Sequence, residues 1–128
     1  MTAARRDVVA AGLALAMLGP RAAAAKGGAM YGLLGKMRSV AGKRAELAAI
    51  LLQGTGSMPG CRAYIVAEDA QEADAIWITE VWDDQAAHAA SLKLPSVRDA
   101  IARGRPLIAG FDSQVELKPL GGWDIGRG

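Results

Sequence analysis

The order of apolar segments in this sequence predicts a mixed α+β domain. Strand-like and helix-like segments follow one another as strand, helix, strand, strand, helix, strand. This order is the split βαβ, ferredoxin-like pattern (βαββαβ), in which helices cover one face of an antiparallel sheet. The 128 residues are enough for one domain. Because Cys61 is the only cysteine, no internal disulfide can form, and the fold must depend on packing or on a partner subunit.

The first 25 residues are predicted to be a signal peptide. Arg5 and Arg6 precede a short apolar run over residues 8–18, and the alanines at 22–25 offer a cleavage site, which is the usual three-part layout. The apolar run is well short of the roughly 20 residues that span a bilayer, so no membrane anchor is expected. The arginine pair suggests the twin-arginine route, and the general secretory route stays open. Either route predicts an exported, periplasmic protein.

Residues 26–120 are predicted to form the domain, and its charge excludes some classes of function. The leader contains three of the 15 basic residues and one of the 13 acidic residues, so the remainder is nearly neutral. No basic stripe suggests a nucleic-acid partner. A single histidine and a single cysteine leave too few ligands for most transition-metal sites. A protein-built transition-metal site is therefore not expected.

The first half of the domain is predicted to contain three strands and one helix. Residues 29–38 form a continuous apolar run, typical of a buried strand. Residues 43–53 place Leu47, Ile50 and Leu51 on one helical face, and a segment rich in glycine follows. Two alternating segments, 61–68 and 75–82, are predicted to be strands joined by an acidic hairpin loop.

The second half is predicted to contain two helical pieces and a last strand. Asp83 or Asp84 can cap a helix that runs to about residue 93. Pro95 interrupts this helix, and Ser96 is expected to cap the next one. Residues 104–110 are predicted to be a loop and 111–118 a strand with one buried face. Residues 121–128 form a tail rich in glycine.

The second and third strands are apolar on both faces, which suggests an interface. In the third strand, Ile76, Ile78, Glu80 and Trp82 alternate with Trp77, Thr79 and Val81. Helices can cover only one face of the sheet, so the other apolar face would be exposed. The sequence therefore predicts a homodimer whose sheets pack face to face.

One long segment resembles the antibiotic biosynthesis monooxygenase domain family, including its quinol monooxygenase members. The segment is MPGCRAYIVAEDAQEADAIWITEVWDDQAAHAASLKLPSVRDAIARGRPLIAG, and the likeness covers about residues 29–120. Its matching positions are Pro59, Gly60, Cys61, Tyr64, Glu80, Trp82, Asp83, Asp84, Ala86, Ala87, Pro95 and Arg98. The resemblance implies a dimeric α/β barrel. It also implies oxygenation of a small aromatic or quinol compound by dioxygen, without metal or flavin.

The resemblance also identifies candidate catalytic residues and one departure. Tyr64, Glu80, Trp82 and His88 are the candidates, because a phenol needs a base and hydrogen-bonding groups in a dry pocket. Many family members have histidines where this chain has Ser91 and Ser96. His88 lies three residues before Ser91 and shares its helix face, but it is not the family residue.

Each candidate also has a structural interpretation. His88 can be a surface or half-buried histidine of an alanine-rich helix, and Trp82 a core residue. Tyr64 either packs or bonds a substrate. Glu80 is expected to pair with Arg38, Arg62 or another cation, or to act as a base with a raised pKa. Three functions stay open: a cofactor-free oxygenase, a non-catalytic binding or structural dimer, and a haem-binding relative.

Overall fold

The computed structural model describes residues 29–127, so the predicted signal peptide lies outside the described residues. The elements are β1 (Tyr31–Ser39), α1 (Arg44–Gly54), β2 (Cys61–Glu68), β3 (Ala75–Trp82), α2 (Gln85–Ser91), α3 (Pro95–Gly104), a short 3-10 helix (Arg105–Leu107), β4 (Ile108–Leu117), β5 (Gly121–Gly122) and β6 (Gly126–Arg127). None of the described helices has the length and hydropathy of a membrane-spanning segment.

The four long strands form one antiparallel sheet in the order β2-β3-β1-β4. The central strands β1 and β3 pair so that Leu33 lies opposite Glu80 and Met37 opposite Ile76. Two strands that are adjacent in sequence, β2 and β3, form the hairpin on one side. The α+β class and the ferredoxin-like pattern predicted from the sequence are confirmed.

Helices α1 and α3 cover one face of this sheet. The predicted helical face is confirmed, because Leu47, Ile50 and Leu51 are all buried. Leu47 and Leu51 pack with strand residues in a core whose buried members are Met37, Leu47, Leu51, Ile76 and Ile78. Each fully buried side chain of this kind stabilises the fold by about 1.5–3 kcal/mol.

The starts of α2 and α3 differ in how they are capped. Asp84 Oδ1 accepts a hydrogen bond from Ala87 N at 2.8 Å, as predicted for the cap of α2. The predicted Ser96 cap of α3 is wrong, because the helix begins at Pro95 with Leu94 as its N-cap. Proline suits the first helical position, since its fixed φ matches the helix and its missing N–H would have no partner there.

Strand β4 begins earlier than its sequence pattern predicts, and its buried face changes along its length: Phe111 packs against the core, but beyond Ser113 the residue that faces the core is Gln114 and not Val115. It starts at Ile108, inside the predicted 104–110 loop. Two register shifts against β1 break its alternation. As a result Val115 and Leu117 are 43% and 44% exposed, while Gln114 lies on the helix-covered side beside Gly35.

The sheet face without helices has exposed apolar side chains beside the Arg38–Asp112 ion pair, and a short hairpin follows β4. Ile65 on this face is 53% exposed. The predicted tail forms the β5–β6 hairpin. Arg62 Nη1 donates a hydrogen bond to the Ile125 carbonyl at 2.7 Å, which fastens the hairpin to the start of β2.

Candidate functional site

The four candidate residues lie together between the sheet and the helices. Strand β3 presents Glu80 and Trp82 on its helix-covered face, and the β2–β3 register places Tyr64 opposite Glu80. Helix α2 places His88 against the Trp82 ring. All four side chains line one small chamber, which we call the Tyr64 chamber.

Glu80 is the charged centre of this cluster. The residue is 6% exposed, and burial raises the pKa of its carboxyl from 4.5 to about 7. Trp82 Nε1 donates a hydrogen bond to Glu80 Oε1 at 2.9 Å, which favours the ionised form and opposes part of that shift. A carboxyl with this pKa can exchange a proton at neutral pH.

The expected ion pair of Glu80 with Arg38 or Arg62 is wrong. Arg38 bonds to Glu72 and Asp112 instead, and Arg62 pairs with Asp83. No lysine or arginine among residues 29–127 forms an ion pair with Glu80. Its proton affinity is therefore governed by burial and by the Trp82 hydrogen bond.

His88 is 2% exposed and lies beside Glu80 without a hydrogen bond to it. Its Nε2 is 3.7 Å from Glu80 Oε1, beyond normal hydrogen-bond length. The ring packs against Tyr31 and Trp82, with centroid distances of 5.5 and 5.3 Å. Burial lowers the pKa of His88 from 6.5 to about 4, so the imidazole is neutral at pH 7. Its Nδ1 has no hydrogen-bond partner.

Ser91 and Ser96, which stand where the resemblance implies histidines, differ in environment. Ser91 is buried, and its hydroxyl donates a hydrogen bond to the His88 carbonyl at 2.6 Å. This bond occupies the hydroxyl within its own helix. Ser96 is exposed on α3. Of the two positions, only Ser91 lines the Tyr64 chamber.

Tyr64 contributes a second polar atom without a partner. Its hydroxyl is buried and makes no hydrogen bond. Burial, followed by the nearby charge of Glu80, holds the pKa of this hydroxyl well above its ordinary value. Tyr64 is therefore a neutral group that can donate to, or accept from, a bound molecule.

A second chamber lies on the other side of Glu80. We call it the Gly35 chamber, because it lies beside Gly35, which has no side chain to fill the space. Each chamber has a volume of about 10 Å³, which holds roughly one water-sized molecule. Gln114 lines the Gly35 chamber, and its buried Nε2 has no hydrogen-bond partner. The sequence pattern gave no signal for Gln114, because its burial depends on the β4 register shift.

A larger cleft opens next to these chambers at Tyr31. This Tyr31 cleft has a volume of about 370 Å³ and is lined by Ala29, Met30, Tyr31, Gln85, Glu116, Leu117 and Lys118. Tyr31 donates a hydrogen bond to Glu116 Oε2 at 2.7 Å. Its ring also packs against His88, which lines the Tyr64 chamber. Sequence reasoning did not identify Tyr31 or Glu116.

Neither a metal-binding cluster nor a reactive thiol is found in the part of the chain that the structure describes. Residues 29–127 contain no group of three His, Cys, Asp or Glu side chains that could hold a metal ion. Burial, with the charge of Glu80 second, raises the pKa of the Cys61 thiol to about 11, so it stays protonated at neutral pH.

Comparisons with known proteins agree with this fold. Residues 30–103 match the model of the family called antibiotic biosynthesis monooxygenase. A Chloroflexus aurantiacus protein, provisionally named as an antibiotic biosynthesis monooxygenase, is 61% identical; the match covers 76% of this chain and 99% of that one, with a TM-score of 0.74. No curated protein matches the sequence.

Two more distant structures establish the fold alone. A Caulobacter crescentus protein with the same provisional name is 20% identical, with 71% of this chain and 90% of that one covered and a TM-score of 0.65. SnoaB, a cofactor-independent oxygenase from Streptomyces nogalater, is 13% identical, with 74% and 97% covered and a TM-score of 0.62. The family match and the Chloroflexus relative show that the chain belongs to the antibiotic biosynthesis monooxygenase family.

Proposed function

We propose that this protein is a monooxygenase that oxygenates a small phenol or quinol with dioxygen, without a metal or flavin. The observation that carries the proposal is the buried carboxyl of Glu80, whose pKa of about 7 suits a general base at neutral pH. Tyr64 Oη and His88 Nδ1 lie in the same chamber without partners. Unpaired buried polar atoms cost free energy, and a bound phenol would provide their missing partners.

The family and one relative on the same fold support this reaction class. Residues 30–103 match the family model, and SnoaB is a cofactor-independent oxygenase. In such a reaction the substrate supplies the electrons. For a hydroquinone, the base removes a phenolic proton and a ring carbon of the anion forms a bond to dioxygen. After protonation, the resulting hydroperoxide breaks its O–O bond, a ring hydrogen leaves with the outer oxygen as water, and a hydroxyquinone remains.

The side chains of the Tyr64 chamber divide these tasks. Glu80 takes the phenolic proton, since its pKa is nearer neutrality than that of His88. Tyr64 and the neutral His88 hold the oxygen of the resulting anion by hydrogen bonds. Trp82 keeps the Glu80 carboxyl in position through its indole N–H. The substrate approaches through the Tyr31 cleft, whose volume lies within the range of small-molecule sites.

A non-catalytic binding dimer is the second candidate, and the volume of the Tyr64 chamber favours it. A chamber of about 10 Å³ is too small for an aromatic ring. Catalysis therefore requires Tyr31 or its neighbours to move when substrate binds. A protein that kept the scaffold but lost the chemistry would need no such movement.

Dioxygen uptake with a panel of hydroquinones separates the two candidates. The oxygenase consumes one dioxygen per quinone product, releases no hydrogen peroxide and transfers one ¹⁸O atom from ¹⁸O₂ to the product. Peroxide release without label would indicate simple oxidation of the quinol. No uptake with any hydroquinone would leave the binding dimer as the function. Equal uptake by a His88→Ala variant would remove His88 from the mechanism.

The proposal includes a homodimer that is exported to the periplasm. The exposed sheet face supports the dimer, because Ile65, Val115 and Leu117 are each about half exposed there. Light scattering of the purified protein tests it, and a monomer would contradict it. Export rests on the sequence of residues 1–25 alone. N-terminal sequencing of the protein recovered from the periplasm tests that part, and an intact leader would contradict it.

A further inference from the structure

The Gly35 chamber is a small, mostly apolar space that borders the candidate site. Gly35 lies between Leu33 and Met37 on the helix-covered face of β1, where neighbouring residues project large side chains. A Cβ built at Gly35 meets only the Ser113 carbonyl oxygen, at 3.7 Å. The missing side chain therefore leaves the chamber open, with room for one small molecule.

Two polar groups face this chamber among apolar neighbours. Its apolar walls are Leu33, Gly35, Met37, Ile78 and Phe111. Its polar walls are Glu80 and Gln114, and Gln114 Nε2 is a buried donor without an acceptor. These walls fit a molecule that is apolar when it binds and becomes a hydrogen-bond acceptor when it is reduced. The apolar side chains would contact its neutral form, and the Gln114 amide would donate a hydrogen bond to its reduced form.

We propose that the Gly35 chamber binds dioxygen, the co-substrate of the proposed monooxygenase reaction. This inference rests on the proposed function. Because Glu80 is a wall of both chambers, dioxygen that leaves the Gly35 chamber meets the substrate anion beside the carboxyl that removed its proton. A ring carbon then forms a bond to one oxygen atom, and Glu80 returns its proton to the other. The hydroperoxide so formed loses water as described above, so Glu80 ends the cycle ionised.

Noble-gas binding tests the chamber without requiring turnover. Krypton is apolar, accepts no strong hydrogen bond and is located by anomalous diffraction in pressurised crystals. We expect a krypton site in the Gly35 chamber of the wild type and none in Gly35→Ala, whose methyl group would fill the space. Gly110→Ala is the matched control, since it is also a strand glycine and its Cβ meets nothing within 4 Å. An ordered water that bridges Gln114 and Glu80, with no krypton, would overturn the inference.

Steady-state kinetics tests the role of the chamber. In Gly35→Ala we expect kcat/KM for dioxygen to fall about tenfold or more, with KM for the hydroquinone unchanged. Gly110→Ala should match the wild type. If kcat/KM for dioxygen is the same in Gly35→Ala as in the wild type, the inference about the chamber is overturned and the proposed function stands. The same holds if the wild type is active but binds no krypton in the Gly35 chamber. A wild type that consumes no dioxygen with any hydroquinone refutes both the proposed function and this role of the chamber.

Discussion

Replacing Glu80 by glutamine isolates the free energy of ionising this carboxyl inside the protein. Burial raises its pKa from 4.5 to about 7, so the folded state holds the proton more tightly than the unfolded state does. The resulting contribution to stability is fully present below pH 4.5 and is lost as the pH rises through about 7. At 1.36 kcal/mol per pKa unit, that loss is about 3 kcal/mol.

Glutamine does not titrate, but it keeps the side-chain shape and an oxygen for Trp82 Nε1. Relative to wild type, the free energy of unfolding of Glu80→Gln should therefore increase by about 3 kcal/mol between pH 4.5 and about 7. Urea titrations followed by tryptophan fluorescence measure this difference. Glu46→Gln, a change at a surface carboxylate that pairs with Lys43, is the control and should show no such trend. A constant difference for Glu80→Gln across this range would refute the reasoning.

Three further changes test other parts of the structure by urea titration. His88→Gln should show the opposite trend, because the lowered pKa of His88 gives stability that is present above pH 6.5 and lost towards about pH 4. As the pH rises from about 4 to 6.5, the free energy of unfolding of the variant should therefore fall by about 3 kcal/mol relative to wild type. An increase relative to wild type over this range would contradict the prediction. Asp84→Ala should lower the free energy of unfolding by about 1 kcal/mol, because it removes the cap of α2. Asp84→Asn should keep most of the wild-type stability, and a stability of Asp84→Ala equal to wild type would exclude a stabilising cap. Gly60→Ala should cost about 2 kcal/mol or more, because Gly60 has a φ of +83° and a new Cβ would lie 2.6 Å from Ala87 Cβ; a neutral effect would show that this turn relaxes freely.

The sequence was sufficient for the elements whose periodicity is regular. The alternation of β2 and β3 predicted the bounds of both strands and the face that Glu80 shares with Ile76, Ile78 and Trp82. Strand β4 could not be predicted in the same way, because two register shifts against β1 interrupt its alternation. A bulge depends on pairing with a distant strand, and a local pattern does not contain that information.

The same distinction applies to the candidate site. The four candidates named from the sequence line one chamber. Gln114 and the Tyr31–Glu116 pair were missed, because their places beside that chamber depend on the position of β4. The wrong prediction of an ion pair between Arg38 and Glu80 has a simpler cause. Arg38 alternates with Met37 along β1 and therefore projects from the opposite sheet face, where it meets Glu72 and Asp112. Strict use of strand alternation would have excluded that ion pair.

The most direct test of Glu80 as the general base is the turnover of Glu80→Gln. Dioxygen uptake with the best hydroquinone substrate should fall by roughly 10²–10⁴-fold, the usual contribution of a positioned base. Glu46→Gln should retain wild-type turnover, and the wild-type kcat/KM should rise as the pH passes through about 7. Turnover by Glu80→Gln equal to that of wild type would contradict the assignment of Glu80 as the base.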